Sequence, residues 1–584
     1  MRFGDCAREC ALAETTHRTF SADDDSGVRR IARAARFGWP LASFGVAVLV
    51  SLPILVVLGS LGVSSEGEWQ HLASTVLPTY IKNTVLLALG VGGLSLVIGV
   101  VCAWLVTACR FPGHNFFSWA LLLPLSIPTY LIAYAYSDLL QYSGPVQSWL
   151  RVTFEWSRQD YWFPEVRSLS GAIVMLSVVL YPYVFLAART AFLEQSVCAL
   201  DVSRTLGLSP WKSFFRVALP LGRPSIVAGC SLVLMESVAE FGAVDYCAVD
   251  TFATGIYRTW FSLGSITAAA QLSATLLFAV ALLFAVERIS RGRARHHHAT
   301  YRYRELPRWE LTGFRSALAC LTCGLPILIG FLVPTLVFAQ MTLRGGDQRA
   351  WELALELGKN TFLLATIASS IAVVLALIIA YGLRKTPGPL MRASATVAGL
   401  GYAIPGGVIA IGVMIPAVWL DHRVGDLLDS YFNMSTGLIF SGTILAVIVG
   451  YQVRFMAVSL NLVDGGFSRI RKSLDDASET LGASQTRTLC RVHLPLMRGS
   501  LLAAGLLVFV DVTKELPATI ILRPFNFDTL AVRVYQLASD ERLYEASTGA
   551  LMIIGVGLVP VFLLSRSISR SRPGESPYGD ELRL

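Results

Sequence analysis

The chain has 584 residues, 54% of them hydrophobic and only 15% charged, with a formal net charge of +8. Soluble domains carry about 25% charged residues, so an ordinary soluble enzyme is excluded and a lipid-embedded protein is indicated. The basic residues lie in short stretches between apolar runs, which is a bilayer-orienting bias rather than a nucleic-acid surface.

The first 38 residues hold seven arginines among acidic and polar residues, and no small-residue cleavage site follows the first apolar run. They read as a cytoplasmic tail rather than a signal peptide. Crossing the hydrocarbon as a helix takes about 20 apolar residues. Segments that meet this demand fall at 42–62, 84–107, 116–137, 170–188, 225–247 and 264–286, then at 316–340, 361–381, 394–419, 437–457, 501–522 and 548–565. With the N-terminus inside, Arg110, Arg384, Lys385, the stretch Arg288 to Arg315 and the terminal Arg566, Arg570 and Arg572 share one side. Both termini are therefore predicted to be cytoplasmic.

The expected organisation is an N-terminal tail 1–40, a membrane domain 41–287, a linker 288–315, a second membrane domain 316–566 and a tail 567–584. His296-His297-His298 in the linker reads as an incidental polar run. Cys320 and Cys323 read as small packing residues, and the ten cysteines imply no disulfide framework.

The two halves repeat. Asn83-Thr84 recurs as Asn360-Thr361, Pro112-Gly113 as Pro387-Gly388 and Ile127-Pro128 as Ile404-Pro405, each at an offset of 275 or 277 residues. So constant a shift across different elements marks an internal duplication. Six spans per copy give both copies the same orientation. Pro128 and Pro405 could break their spans around a path, though simple helix shaping explains them as well.

Two loops carry the clearest pattern. Between spans four and five, Asp201 precedes Gly207 by six residues, and Gly207 precedes Pro220 by thirteen. Between spans ten and eleven, Asp476, Gly482 and Pro495 keep the same spacing at a shift of 275. Each loop reads as a helix closed by a glycine in a positive-φ conformation, then a second short amphipathic helix stopped by proline. In the first copy this second helix is expected to place Trp211, Phe214, Phe215 and Ala218 on one side. Such a helix suits a groove on another protein. An interfacial helix resting on lipid would explain one loop, but not two with identical spacing.

Both loops resemble the EAA loop of ABC importer permeases: Glu-Ala-Ala, three residues, Gly and a later Leu-Pro. Here Asp201 and Asp476 stand at the Glu position, neither copy keeps both alanines, and Leu219-Pro220 and Leu494-Pro495 complete the pattern. The resemblance implies an all-α membrane protein with the type I ABC importer permease fold, twelve transmembrane helices in two parallel six-helix repeats. It implies that the loop docks into an ATPase subunit, through Asp201, Gly207, Trp211, Phe215, Pro220, Asp476, Gly482 and Pro495. The fused twelve-span layout is similar to ferric-iron permeases of binding-protein-dependent systems, as are Tyr142-Ser-Gly-Pro-Val-Gln147 and Lys514-Glu-Leu-Pro-Ala-Thr519. Thiamine and aminophosphonate permeases share that layout. The implied partners are two copies of a cytoplasmic ATPase and a periplasmic substrate-binding protein, in the bacterial inner membrane and its lipid, with no nucleic acid.

The chain itself offers no phosphate-cradling loop. The nearest approach, Gly207 to Ser213, puts Trp211 where glycine is required. No cofactor is expected on this chain, ATP being used by the partner, and the residues define no metal site. Glu236, Glu240 and Asp245 in span five, and Asp511, Lys514 and Glu515 in span eleven, are ionisable residues inside spans, where charge is costly and usually functional. They are candidate lining for a translocation path, with a structural pairing as the plainer alternative. An ion-coupled carrier would also use them, but would have no reason to keep two matched docking loops.

Overall fold

A computed structural model describes residues 24–63, 67–194, 210–291, 308–345, 348–433 and 437–570. Asp201, Gly207 and His296 to His298 lie outside these. Among the described residues ten helices are long and apolar enough to cross a bilayer. Two bent pairs, His114–Ser126 with Thr129–Phe154 (89°) and Gln485–Leu496 with Arg498–Thr513 (78°), make twelve if each is one span. The protein is an all-α membrane protein, as its composition requires, because in lipid a helix satisfies its own backbone hydrogen bonds. Its strand content among the described residues is a two-residue parallel bridge, Cys109 to Trp309 and Arg110 to Glu310.

The predicted third and ninth spans are not continuous. Pro128 and Pro405 each stand immediately before a helix, Thr129–Leu140 and Gly406–Phe432, with nearly identical backbone angles (φ −57°, ψ 143° and φ −56°, ψ 139°). Proline disfavours helical angles in the residue before it, and Ile127 is extended (φ −99°, ψ 120°). The fifth and eleventh predicted spans, 225–247 and 501–522, are shorter than expected. Leu219–Ala239 ends at Glu240 and Arg498–Thr513 ends just before Glu515. Each is followed by a short helix, Gly242–Tyr246 or Pro517–Leu522, and then by Phe252–Phe261 or Leu530–Ser539.

The repeated Asn-Thr pair has a structural purpose. Asn83 donates to the Asp250 carbonyl at 2.9 Å and Asn360 to the Asp528 carbonyl at 3.4 Å. Thr84 accepts the Phe252 amide at 3.2 Å, and Thr361 accepts the Leu530 amide at 2.9 Å. Those amides belong to the first turns of Phe252–Phe261 and Leu530–Ser539, whose donors have no partner within the helix. Thr251 and Thr529 cap the same two helices.

The chain divides into two compact units, each described by itself. The first holds the residues up to Ser51 with Ser369–Gly401 and Phe455–Gly505, and the second holds the remainder. In the first unit the opening span lies on the second repeat: Trp39 meets Tyr381 edge-on at 4.9 Å, and Ser43 donates to the Ile378 carbonyl at 3.4 Å. In the second unit the seventh span lies on the first repeat. Trp309 packs on Trp104 at 5.6 Å, Tyr136 donates to the Ile329 carbonyl at 2.8 Å, and Gly330 abuts the Val178 carbonyl. Each repeat thus lends its first span to the other. Gly330 lets the backbones approach to a distance that any Cβ would prevent.

Candidate functional site

In the first unit, helix Ser473–Thr480 closes as expected. Gly482 has φ +74°, its amide donates to the Glu479 carbonyl at 3.0 Å, and the Ala483 amide donates to the Ser478 carbonyl at 3.0 Å. This is the Schellman pairing, which satisfies carbonyls left over at a helix end. Ser484 then caps Gln485–Thr488, and a hydrogen bond between the Ser478 and Thr488 hydroxyls (2.9 Å) ties the two helices together.

The loop is anchored by a residue that spacing alone passes over. Asp476, at the motif position, is exposed, whereas Asp475 is buried. Arg384 donates to Asp475 at 2.7 Å, with Lys385 at 3.4 Å and His493 Nε2 at 2.8 Å. Arg384 also donates to the carbonyls of Phe467 (2.7 Å) and Ile470 (3.0 Å), and Tyr381 donates to the Gln485 carbonyl at 2.8 Å. Burial on its own would raise the Asp475 carboxyl, but the hydrogen bond from Arg384 and the charges of Lys385 and Arg384 outweigh it and hold the group below its ordinary range. Burial pushes His493 below its ordinary value against the pull of Asp475, so the ring is neutral at neutral pH.

The matching loop of the first repeat, in the second unit, is described from Pro210 onward. Trp211 and Phe215 are 54% and 61% exposed, while Phe214 and Ala218 are buried. The expectation of one common apolar side is corrected here. The pair Trp211 and Phe215 and the pair Phe214 and Ala218 are separate four-residue stripes, one outward and one inward against Trp104 and Phe192. Trp104 and Tyr381 are repeat equivalents at a shift of 277, so an aromatic ring underpins each loop, and in the second the Arg384–Asp475 pair adds to it.

The expected stop at proline is also corrected. A π-turn spans Phe214–Ala218 and recurs at Leu489–His493, again 275 residues on. The wider turn precedes each proline and makes room for its ring and its missing N–H. After it, the first copy runs unbroken through Pro220 to Ala239, whereas the second bends just past Pro495.

The ionisable residues of spans five and eleven come together in the second unit. Glu240 accepts from the Ala243 amide at 3.0 Å, and Glu515 accepts from the Ala518 amide at 3.0 Å, so each carboxylate caps the short helix that follows it. Their second contacts differ. Thr129 donates to Glu240 at 2.6 Å, whereas Glu515 pairs with Arg454 Nε at 3.2 Å. The second-repeat equivalent of Thr129 is Gly406, where any Cβ would collide with the Arg454 guanidinium and the Glu515 carboxylate. The missing side chain is what admits the arginine. Arg454 also approaches Glu236 at 3.9 Å, Lys514 pairs with Asp511 at 2.9 Å, and Tyr535 donates to Asp245 at 2.7 Å. The sequence reading had singled out neither Arg454 nor the tyrosines. Arg454 was detectable in principle, as a charge inside the tenth span. Among the described residues, no three His, Cys, Asp or Glu side chains converge as a ready metal cage.

Two fused repeats of membrane helices, with Asp–Gly–Pro loops of matched spacing and broken helices around shared buried charges, define the membrane-spanning subunit of a transport system. Residues 95–295 match the family described as binding-protein-dependent transport system inner membrane component. The chain is 24% identical over 533 residues to the Fe(3+)-transport system permease protein FbpB 2 of Haemophilus influenzae, covering 89% of this chain and 97% of that one. It is 32% identical over 169 residues to the molybdenum transport system permease protein ModB of Escherichia coli, covering 28% of this chain and 69% of the relative. It is also 27% identical over 209 residues to the sulfate transport system permease protein CysT of Escherichia coli, covering 35% of this chain and 71% of that protein. The chain belongs to the family of binding-protein-dependent ABC transport permeases of the inner membrane.

Proposed function

We propose that this chain forms the translocation path of a ferric-iron importer, supplied by a periplasmic binding protein and driven by a separate ATPase bound in two copies, one per Asp–Gly–Pro loop. In this reading both loops and both termini are cytoplasmic, as the Lys and Arg bias favours. ATP-driven closure of the ATPase pair draws the loops together and switches the path between outward and inward access, the work coming from the different affinities of the two states.

The observation that carries the substrate class is charge balance. Glu236, Glu240, Asp245, Asp511 and Glu515 stand against Arg454 and Lys514, and both of those cations are already ion-paired. Glu236, Asp511 and Lys514 remain partly uncovered by protein, and charges at such depth border water rather than lipid. An acid-rich lining raises the local concentration of cations and repels an oxyanion such as the sulfate in one relative's name. The fused layout on its own leaves thiamine and aminophosphonate open. Uptake of radiolabelled ferric iron, thiamine and aminophosphonate by a deletion strain carrying this chain with its ATPase and binding protein tests the reading. ATP- and binding-protein-dependent iron entry is the expected result. Entry of another solute, or iron entry driven by an ion gradient without ATP, would overturn it.

A further inference from the structure

Near the Glu240 carboxylate the second unit holds a run of phenols whose ring packing leaves two hydroxyls unexplained. Tyr130 and Tyr134 lie on Thr129–Leu140 and are 3% and 0% exposed. Neither hydroxyl has a hydrogen-bond partner among the described residues. A phenol buried in a membrane protein normally finds one, since desolvating the hydroxyl without a return bond is unfavourable.

These two hydroxyls sit among other oxygens. Tyr130 is in the field of Glu240 and Glu515, and Tyr134 in that of Tyr130, Tyr246, Tyr535 and Asp245. The Tyr130 and Tyr134 rings are 5.7 Å apart, and Tyr134 meets Tyr246 at 4.5 Å. The run opens at partly exposed Asp245, held by Tyr535, and ends at buried Glu240.

We infer that Asp245, Tyr535, Tyr134, Tyr130 and Glu240 form a relay of oxygen ligands that hands the ferric ion from Asp245 to Glu240. The inference rests on the ferric reading above and names the side chains that handle the cargo. Phenol and carboxylate oxygens are hard donors and suit a small, highly charged cation rather than a soft or organic one. No three carboxylates converge among the described residues, which fits transit, because a conducting site must release its ion as readily as it takes it. As each phenol ligates, its proton passes to the neighbouring carboxylate, Asp245 for Tyr535 and Tyr134, Glu240 for Tyr130. It returns when the ion moves on. The iron stays ferric throughout.

The test uses the complete transporter in lipid vesicles with ferric-loaded binding protein, comparing wild type with Tyr130→Phe, Tyr134→Phe and the double variant. Phenylalanine keeps the ring packing, and binding-protein-stimulated ATP hydrolysis monitors folding and coupling. The expected result is iron uptake reduced about ten- to a hundredfold in the double variant, as for loss of metal-holding groups elsewhere, with stimulated hydrolysis retained. Wild-type permease titrated with ferric ion should show the visible phenolate-to-iron absorption, competed by gallium(III) and absent from the double variant. Wild-type iron uptake in the double variant, or no such absorption in wild type, would overturn the relay while leaving the importer reading intact. Absence of iron uptake by wild type would overturn both.

Discussion

Arg384 donates to Asp475 across 2.7 Å, so the last turn of the eighth span holds the Asp–Gly–Pro loop that follows the tenth. Lys385 and His493 close around the same carboxylate.

Asp475→Ala strands two cations at a nearly buried site and should destabilise the protein by about 3 kcal/mol, since breaking a buried pair costs more than the pair contributes. Asp476→Ala, at an exposed position, should change stability by about 0.5 kcal/mol or less and act instead on ATPase association. Thermal unfolding in detergent and ATPase binding, measured on both variants, separate the two roles.

The same cluster predicts an acid sensitivity. The folded-state Asp475 carboxyl titrates below its ordinary value, so its stabilisation is complete above about pH 4 and is lost as pH falls through the lowered value. His493 is also lowered when folded, so below about pH 6.5 the unfolded chain takes up a proton that the folded chain refuses, and stability declines further. His493→Gln should remove the decline that begins near neutrality and leave the more acidic one. Melting temperature against pH reads both.

At Gly482 a Cβ would meet no atom within 4 Å, so the penalty for substitution is backbone alone. Gly482→Ala should cost about 1 kcal/mol, and Gly482→Asn less, because asparagine tolerates positive φ. Gly482→Val should uncouple ATP hydrolysis from transport while membrane insertion persists. Normal stimulated turnover in that variant would count against the turn as a coupling element.

Trp211 and Phe215 are each more than half exposed on the first loop. Their double alanine variant should keep its melting temperature but bind the ATPase at least about tenfold more weakly, as expected for aromatic hot spots. Alanine at buried Phe214, by contrast, should cost about 3 kcal/mol of stability through a core cavity.

Much of this was readable from residue order, and the failures have definite causes. Apolar length located the continuous spans, and the constant 275-residue shift located the second loop and the helix from Pro210 in the first, because those signals live in local composition and spacing. The helix breaks at Glu240 and Glu515 were missed because apolar residues continue past them; the breaks depend on a carboxylate capping the next amide. Asp475 was missed because two adjacent aspartates look alike until Arg384, 91 residues away, selects one of them. The side-by-side stripe expected for Trp211, Phe214, Phe215 and Ala218 failed for lack of a partner: only Trp104 and Phe192 show which stripe turns inward. Arg454 required knowing that Gly406 leaves a space.

The traded opening spans give the fused chain a property that two unlinked permease subunits would have to obtain by assembly. Trp39 grips Tyr381 and Trp309 grips Trp104, so severing the polypeptide between Arg291 and Arg308 should free no half. The fragments should copurify, clasped by borrowed helices, and the covalent join then serves chiefly to guarantee equal dosage of two unlike partners.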